Sequence, residues 1–279
     1  MKKMILITTL ALVAIPAFSQ NQINPRTPVK PQIYSSTGLG DNVLAQIADG
    51  GGWQTVITLV NLRPSRVAFL LACVNDQNPT VGFPFIGIGT TYAIDGYVDG
   101  YSEYEISTQG TAAAVNQGYC ALGAPGDTTT PGYDIAAFAI YSYAPTGQQV
   151  SVPASPKFLT NTLNSLIPAF DNRNGYQYGV ALVDTNSTVT GNPGDTITWT
   201  VSTGGNQIAS GSFTMQPEGH TAFILADAFP ATAGIQGTIT FQISQGAAGP
   251  QPGSLVGLGL RAAPWGALTS VDMFEPMTY

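Results

Sequence analysis

The chain has 279 residues, of which only 9% are charged and 44% are hydrophobic. An ordinary soluble domain is about 25% charged, so the surface is expected to consist mainly of Ser, Thr, Asn, Gln and Gly. The 32 glycines and 20 prolines show no collagen period, and their share is below that of low-complexity chains. The composition excludes intrinsic disorder, a coiled coil and a collagen rod. It favours a turn-rich globular protein with a sizeable core.

The N-terminus has the features of a secretory signal. Lys2 and Lys3 precede a mainly apolar run, residues 4–17, which is too short for a membrane span of about 20 residues. Small side chains follow at Ala17 and Ser19, so we predict a signal peptide of residues 1–19. The alternative is an uncleaved N-terminal anchor. The predicted location is the medium or the cell surface, with the periplasm left open.

The charge balance argues against two classes of partner. The full chain has 9 Lys and Arg residues against 16 Asp and Glu, and the predicted signal peptide would remove two of the lysines. An acidic surface without a basic cluster does not suit nucleic acid or anionic lipid. The predicted partner is an extracellular or surface protein or a glycan, with no membrane span in the mature chain. A homo-oligomer is left open.

Residues 20–40 follow the predicted signal and contain Pro25, Pro28 and Pro31. Prolines at this density disfavour a helix and a central strand. The segment is therefore expected to be an extended arm or linker.

The remaining sequence contains two similar halves. Each opens on Gly, an aromatic residue and Gln before a β-rich run, and later segments also match in order. The matched segments are 52–61 with 175–184, 117–122 with 236–241, and 135–140 with 255–260. We interpret them as a duplicated unit of about 110 residues with a boundary near residues 153–170. Chance similarity between two unrelated β domains is the alternative.

Inside each unit the hydrophobic period is two. Residues 196–201 alternate strictly, which places Ile197, Trp199 and Val201 on one face of a half-buried strand. Short helical turns are expected at residues 158–166 and 226–229, the second ending at Pro230. The fold class is therefore all-β.

Short strands separated by Gly, Pro and Asn turns are typical of sandwiches. We predict two tandem Ig-like antiparallel β-sandwiches, residues 41–155 and 156–279.

The two cysteines, Cys73 and Cys120, are predicted to form a disulfide because the chain is exported. Alternation puts Cys73 on the same face as Phe69 and Leu71, and the match between the halves puts Cys120 inward as well. Two buried free thiols are the alternative.

The quoted segments also resemble a recurrent secreted bacterial β-sandwich family with Ig-like features. The resemblance rests on residues 50–61, on 170–172 leading into 179–183, and on 219–225 with Phe229 and Pro230 behind them. It spans much of residues 47–272 and implies a fold and export, but no activity. The cysteine pair and the acidic, Tyr-rich residues 95–105 depart from the family pattern.

The sequence contains few candidate catalytic residues. His220 is the sole histidine, so a Ser-His-acid hydrolase would have to use it, yet the chain has no Gly-x-Ser-x-Gly elbow. Zinc needs three or four ligands, and neither a P-loop nor a dinucleotide fingerprint is present. We predict a non-catalytic protein without a cofactor, in which His220 lies at a turn or strand edge.

Four carboxylates lie close together in the sequence at Asp95, Asp99, Glu103 and Glu105. Calcium prefers several oxygen ligands, so these residues are candidate calcium ligands, although their spacing fits no EF-hand. A solvated acidic hairpin is the favoured interpretation. A glycoside-hydrolase pair at Glu103 and Glu105 is rejected, because no second wall of polar groups is evident.

The same stretch contains Tyr97, Tyr101 and Tyr104, with Trp53 and Trp265 elsewhere. Exposed aromatic rings stack on sugars or anchor protein partners, so the three tyrosines are candidate ligand-binding residues.

Three hypotheses follow. The first is a non-catalytic protein that serves in surface attachment, adhesion or extracellular structure. The second is a carbohydrate-binding module that uses the three tyrosines. The third is a subunit of an extracellular polymer, in which the arm of residues 20–40 adds a strand to a neighbour's open edge.

Overall fold

The computed structural model describes residues 42–123, 135–156, 165–185, 194–244 and 255–274. The predicted signal peptide, residues 1–19, and the whole of the predicted arm, residues 20–40, lie outside this part of the chain. So does most of the helical turn predicted at 158–166. Its two described residues, Ser165 and Leu166, belong to a strand, so the prediction is wrong for them.

In the first half, the described residues within 42–156 form strands and no helix. They are β1 (Asn42–Asp49), β2 (Trp53–Asn61), β3 (Val67–Asn75), β4 (Phe83–Phe85), β5 (Gly89–Thr91), β6 (Ala93–Val98), β7 (Glu103–Ser107), β8 (Asn116–Gly123), β9 (Ile135–Tyr143), β10 (Gln148–Pro153) and β11 (Ser155–Pro156).

In the second half, the described residues within 165–274 form strands and one short α-helix. Its elements are β12 (Ser165–Asp171), β13 (Gln177–Asp184), β14 (Asp195–Thr203), β15 (Asn206–Met215), β16 (His220–Ile224), α1 (Leu225–Ala228), β17 (Gln236–Ser244), β18 (Leu255–Ala262), β19 (Leu268–Val271) and β20 (Met273–Phe274). A 3₁₀ turn at Pro230–Thr232 follows α1. The helical turn predicted at 226–229 is thus largely confirmed. No helix in the described ranges is both long and apolar enough to cross a membrane.

Each half forms two antiparallel sheets. The first half has the orders β11-β1-β8-β3-β6 and β10-β9-β2-β7, with β4 and β5 as a separate hairpin. The second half has the orders β20-β12-β17-β14-β15 and β19-β18-β13-β16. Matched in chain order, the strands of the two halves occupy corresponding places. The all-β class is confirmed, but the strand order differs from that of an immunoglobulin domain, where the first strand pairs with the second.

The hydrophobic alternation read from residues 196–201 is confirmed in β14. Ile197 and Val201 are fully buried, and Trp199 packs against the same core. The strand turns into β15 through Gly204 and Gly205, which both have positive φ. Two successive residues of that conformation make the type I′ turn that suits the twist of a hairpin.

The core of the first half includes residues of the second half. Along β13, Tyr178, Val180 and Leu182 enter the core of the second half, whereas Ala181 and Val183 join that of the first. The first core also takes second-half residues from β16 and β18, namely Ala222, Ile224, Val256, Leu258 and Leu260. Strand β1 lies against β13 and β18, and β8 lies against β16. The sheet that contains β1 and β8 and the sheet that contains β13, β16 and β18 therefore pack against each other. Where they meet, both sheets are buried on both faces.

The predicted disulfide between Cys73 and Cys120 is confirmed. The two residues face each other across the β3–β8 pair, with their Cα atoms 4.0 Å apart. Both are buried in the core of the first half. Inward alternation on β3 and β8 brings the two sulfur atoms together.

Candidate functional site

His220 is the first residue of the edge strand β16, as the sequence predicts, and its side chain lies between the two halves. Its side chain is 0% exposed. It begins β16 in the second half, and its ring contacts residues of the first half. Nδ1 lies 2.9 Å and 3.1 Å from the two carboxylate oxygens of Asp76, and Nε2 lies 2.9 Å from Oε1 of Gln46. We call these three residues the His220 joint.

A neighbouring contact reinforces the joint. The Tyr119 hydroxyl on β8 donates to the carbonyl of Glu218 at 2.9 Å, and the Tyr119 and His220 rings lie 6.2 Å apart. Both contacts run between the halves. A histidine enclosed in this way cannot touch a substrate in this conformation, so its geometry is that of a structural residue.

The three candidate tyrosines lie at the surface of the first half. Tyr97, Tyr101 and Tyr104 are 63%, 73% and 41% exposed. Tyr97 is on edge strand β6, Tyr104 is on edge strand β7, and Tyr101 is in the loop between them. We call them the tyrosine surface. The described contacts include no ring stacking among the three, so they present separate faces.

The loop that carries Tyr101 is held against the β2–β3 connection. The Asn61 side-chain amide donates to the carbonyls of Val98 and Asp99, and the Tyr101 amide donates to the carbonyl of Arg63. At Gly100 an added Cβ would lie 1.9 Å from the Pro64 carbonyl oxygen, so only glycine allows this close approach. The sequence around residue 100 thus fixes where Tyr101 points.

A cation lies beside the tyrosine surface. The Arg66 guanidinium is 5.5 Å from the centroid of the Tyr97 ring, and its Nε donates to Asp99 at 2.7 Å. The hydrogen bond to Asp99 raises the pKa of Arg66 above its ordinary value. The surface therefore combines aromatic faces with a paired charge.

The candidate calcium ligands are not brought together. Asp95 is on β6, Asp99 is occupied by Arg66, and Glu103 and Glu105 are on β7, all four being exposed. Among the described residues, no group of three or more His, Cys, Asp or Glu side chains is placed to hold a metal ion. Their placement is that of a solvated acidic edge and lends no support to a calcium site.

A second aromatic surface lies on the second half, where sequence reasoning singled out only Trp265. Trp265 is 71% exposed and meets Tyr176 edge to face at 5.5 Å. The Arg261 guanidinium covers the Tyr176 ring at 3.8 Å. We call these three residues the tryptophan surface. Trp53, which the sequence grouped with Trp265, is buried in the first core.

The charges behind the tryptophan surface are paired. Arg173 donates to both carboxylate oxygens of Asp171, at 2.9 Å and 3.0 Å, and Arg261 lies 3.7 Å from the same group. The hydrogen bond from Arg173 is the main reason why the pKa of Asp171 falls to about 2. Since Arg261 is on β18 and Tyr176 precedes β13, only pairing of these strands assembles the surface.

Comparison with known proteins gives little likeness. No family model matches the chain, and the curated proteins include no significant match. Among solved structures, the M60 catalytic domain with the CBM51-1 and CBM51-2 domains from Clostridium perfringens ZmpB shows 10% sequence identity and a TM-score of 0.18. The match covers 85% of this chain and 34% of that one, so the chain spans about a third of its length. A likeness this distant carries no argument about function.

Proposed function

We propose that the chain is an exported, non-catalytic protein that attaches to, or helps to build, an extracellular surface. The observation that carries this proposal is the burial of His220, the sole histidine, in a joint between two halves that share a core. A side chain that serves general acid–base chemistry must reach its substrate. In the described structure, His220 instead forms hydrogen bonds between the two halves. The aromatic rings of Tyr97, Tyr101 and Tyr104 are exposed. The likeness to a secreted, Ig-like bacterial family is part of the same proposal.

The experiment compares cells with and without the gene for surface assembly and adhesion. We expect the deletion to reduce attachment or alter the extracellular layer, and the wild-type gene to restore it. A His220→Ala variant exported in normal amount serves as the control for catalysis. An unchanged surface after deletion, or a hydrolytic activity that His220→Ala abolishes in folded protein, would contradict the proposal.

Glycan binding at the tyrosine surface is the second candidate. It is favoured by the exposure of Tyr97, Tyr101 and Tyr104, because aromatic faces that remain in water stack against sugar rings. The four exposed carboxylates of the same edge, Asp95, Asp99, Glu103 and Glu105, disfavour an anionic sugar. The expected ligand is therefore a neutral glycan.

The test is a glycan array followed by titration of any sugar that binds. Tyr101→Ala and Tyr97→Ala should each weaken binding about tenfold, the loss expected when one stacking contact of about 1–1.5 kcal/mol is removed. Trp265→Ala is the matched control on the tryptophan surface. A silent array, or binding that only Trp265→Ala weakens, would remove the tyrosine surface as the site.

A further inference from the structure

Strand β15 is a long edge strand with an unusual composition. It comprises Asn206–Met215, ten residues without a charge or a proline, and ends its five-stranded sheet. Its inner side pairs with β14 along nearly its whole length. Within the described part of the chain no strand pairs with its outer side. Among these residues, its outer row of backbone N–H and C=O groups therefore lacks a strand partner.

The other edge strands of the described sheets carry features that discourage pairing. These features are a charge on β6 (Asp95) and on β7 (Glu103 and Glu105), a proline on β10 (Pro153), and short length in β11, β16, β19 and β20. In addition, the β4–β5 hairpin bonds to the end of β7 through Ile86 and Ser107. Charges, prolines and short length are the usual protections of an open edge. Strand β15 has only a bulge, at Ile208, where the register with β14 shifts.

The segment beyond the bulge, Ala209 to Met215, is regular and neutral. Ser210, Ser212 and Thr214 face solvent opposite Thr200, Thr198 and Thr196 of β14. The one charged residue on β14 is Asp195, which is buried. Two copies of this edge therefore meet without local charge repulsion, although the chain as a whole carries a net charge of -7.

We propose that β15 is a homodimer edge, which pairs antiparallel with β15 of a second copy. A two-fold pairing that uses the whole regular segment must be centred on its midpoint, Ser212. That register sets Phe213 against Gly211 of the partner and Ser210 against Thr214. A pair of hydroxyl residues such as Ser210 and Thr214 is a favourable neighbour across a sheet.

Gly211 packs closely against the core of its own chain. The Trp199 ring lies beneath it, and a Cβ added at Gly211 would lie 2.7 Å from that ring. The Trp199 ring therefore covers the core side of this glycine. The dimer would join two five-stranded sheets into one. This inference is independent of the proposed function, since it uses neither the tyrosine surface nor the His220 joint.

The test is site-directed cross-linking of the exported protein. Because Cys73 and Cys120 are bonded to each other and are the only cysteines, a Ser212→Cys variant has a single free thiol. Directly opposed residues in an antiparallel pair have Cα atoms about 4.5–5.5 Å apart, which a disulfide spans. We expect mild oxidation to convert most of this variant into a covalent dimer.

Ser210→Cys is the matched control, because its counterpart in the partner is four residues away along the strand. The two thiols would then be about 13 Å apart, beyond the reach of a disulfide. Equal cross-linking at positions 210 and 212 would mean random collision and would overturn the proposal. So would the absence of any cross-link at 212.

Sedimentation of the unmodified protein provides the second measurement. We expect the protein to form dimers. The dissociation constant should rise at least tenfold in Ser212→Lys, because this variant places two like charges opposite each other. It should be unchanged in Gln242→Lys, since Gln242 is on the same solvent face but in the interior strand β17. A monomer at all concentrations contradicts the proposal. A dimer that persists in Ser212→Lys also contradicts it. So does a dimer that disappears when residues 20–40 are removed, because that result would indicate that the arm occupies the edge.

Discussion

At the scale of single residues, His220 has hydrogen-bond partners at both ring nitrogens, and both partners belong to the other half of the chain. His220→Ala would take from Oε1 of Gln46, a residue that is 1% exposed, its contact with the ring and would deprive Asp76 of a charge-assisted bond. A buried polar group left unsatisfied costs about 1–3 kcal/mol. We therefore expect the free energy of unfolding to fall by about 2 kcal/mol, measured by urea denaturation.

The matched variant is Asp76→Asn, which keeps an acceptor oxygen for Nδ1 and removes only the charge. Because Asp76 is partly exposed, its loss of charge should cost less than the loss of the ring. Equal stability of His220→Ala and the wild type would mean that the contacts at the joint contribute nothing net.

Asp171 gives a prediction about pH. Its pKa of about 2 in the folded chain lies below the value of about 4 expected in the unfolded chain. The Arg173 contact therefore stabilises the fold above about pH 4, and this contribution is lost as the pH falls towards 2. Both side chains are partly exposed, so solvent screening keeps the effect on stability small.

The direct measurement is an NMR titration of the Asp171 carboxyl carbon. In Arg173→Ala the midpoint should move up towards about 4. In Arg261→Ala it should move much less, because that guanidinium is farther away, at 3.7 Å. A midpoint that ignores Arg173 would show that the pair does not form in solution.

At the scale of elements, the disulfide joins two neighbouring strands and closes a sequence separation of 47 residues. Removing it by Cys73→Ala with Cys120→Ala frees the unfolded chain, and the chain-entropy relation assigns about 4 kcal/mol to a loop of this length. We expect a loss of about 2–4 kcal/mol in the free energy of unfolding, with the fold retained.

Denaturation of the wild type with reductant supplies the comparison for that variant. Both sulfur atoms are buried, so reductant alone should act slowly under native conditions and quickly in urea. Fast reduction of the folded protein would indicate that the β3–β8 pair opens readily.

The elements also show how far sequence reasoning reaches. Strict alternation predicted β14 and the inward cysteines, because one face of each strand is apolar and the period is two. The run Val180-Ala181-Leu182-Val183 shows no alternation, which indicates burial on both faces but does not identify the covering surface. The sequence separates Asp76 from His220 by 144 positions, and Arg261 from Tyr176 by most of the second half. No local pattern predicts such contacts, so the His220 joint and most of the tryptophan surface were missed.

At the scale of the whole molecule, the shared core has a consequence for cooperativity. Val183 belongs to the second half but is fully buried in the core of the first. Neither half can be opened without exposing apolar surface of the other. We expect a single calorimetric unfolding transition, with equal van't Hoff and calorimetric enthalpies. If the two halves are produced as separate chains, residues 42–156 and 165–274, each should expose the apolar surface that it buries against the other half. We expect both chains to aggregate.

Two matched variants test this coupling, each trimming one fully buried valine. Val183→Ala acts on the first core and Val201→Ala on the second, and each should cost about 1–3 kcal/mol through lost contacts and a small cavity. Because the halves unfold together, each variant should lower protection in hydrogen exchange by the same amount in β2 and in β14. If Val201→Ala lowered protection in β14 alone, or if the heat capacity trace separated into two peaks, the halves would be independent domains that only touch.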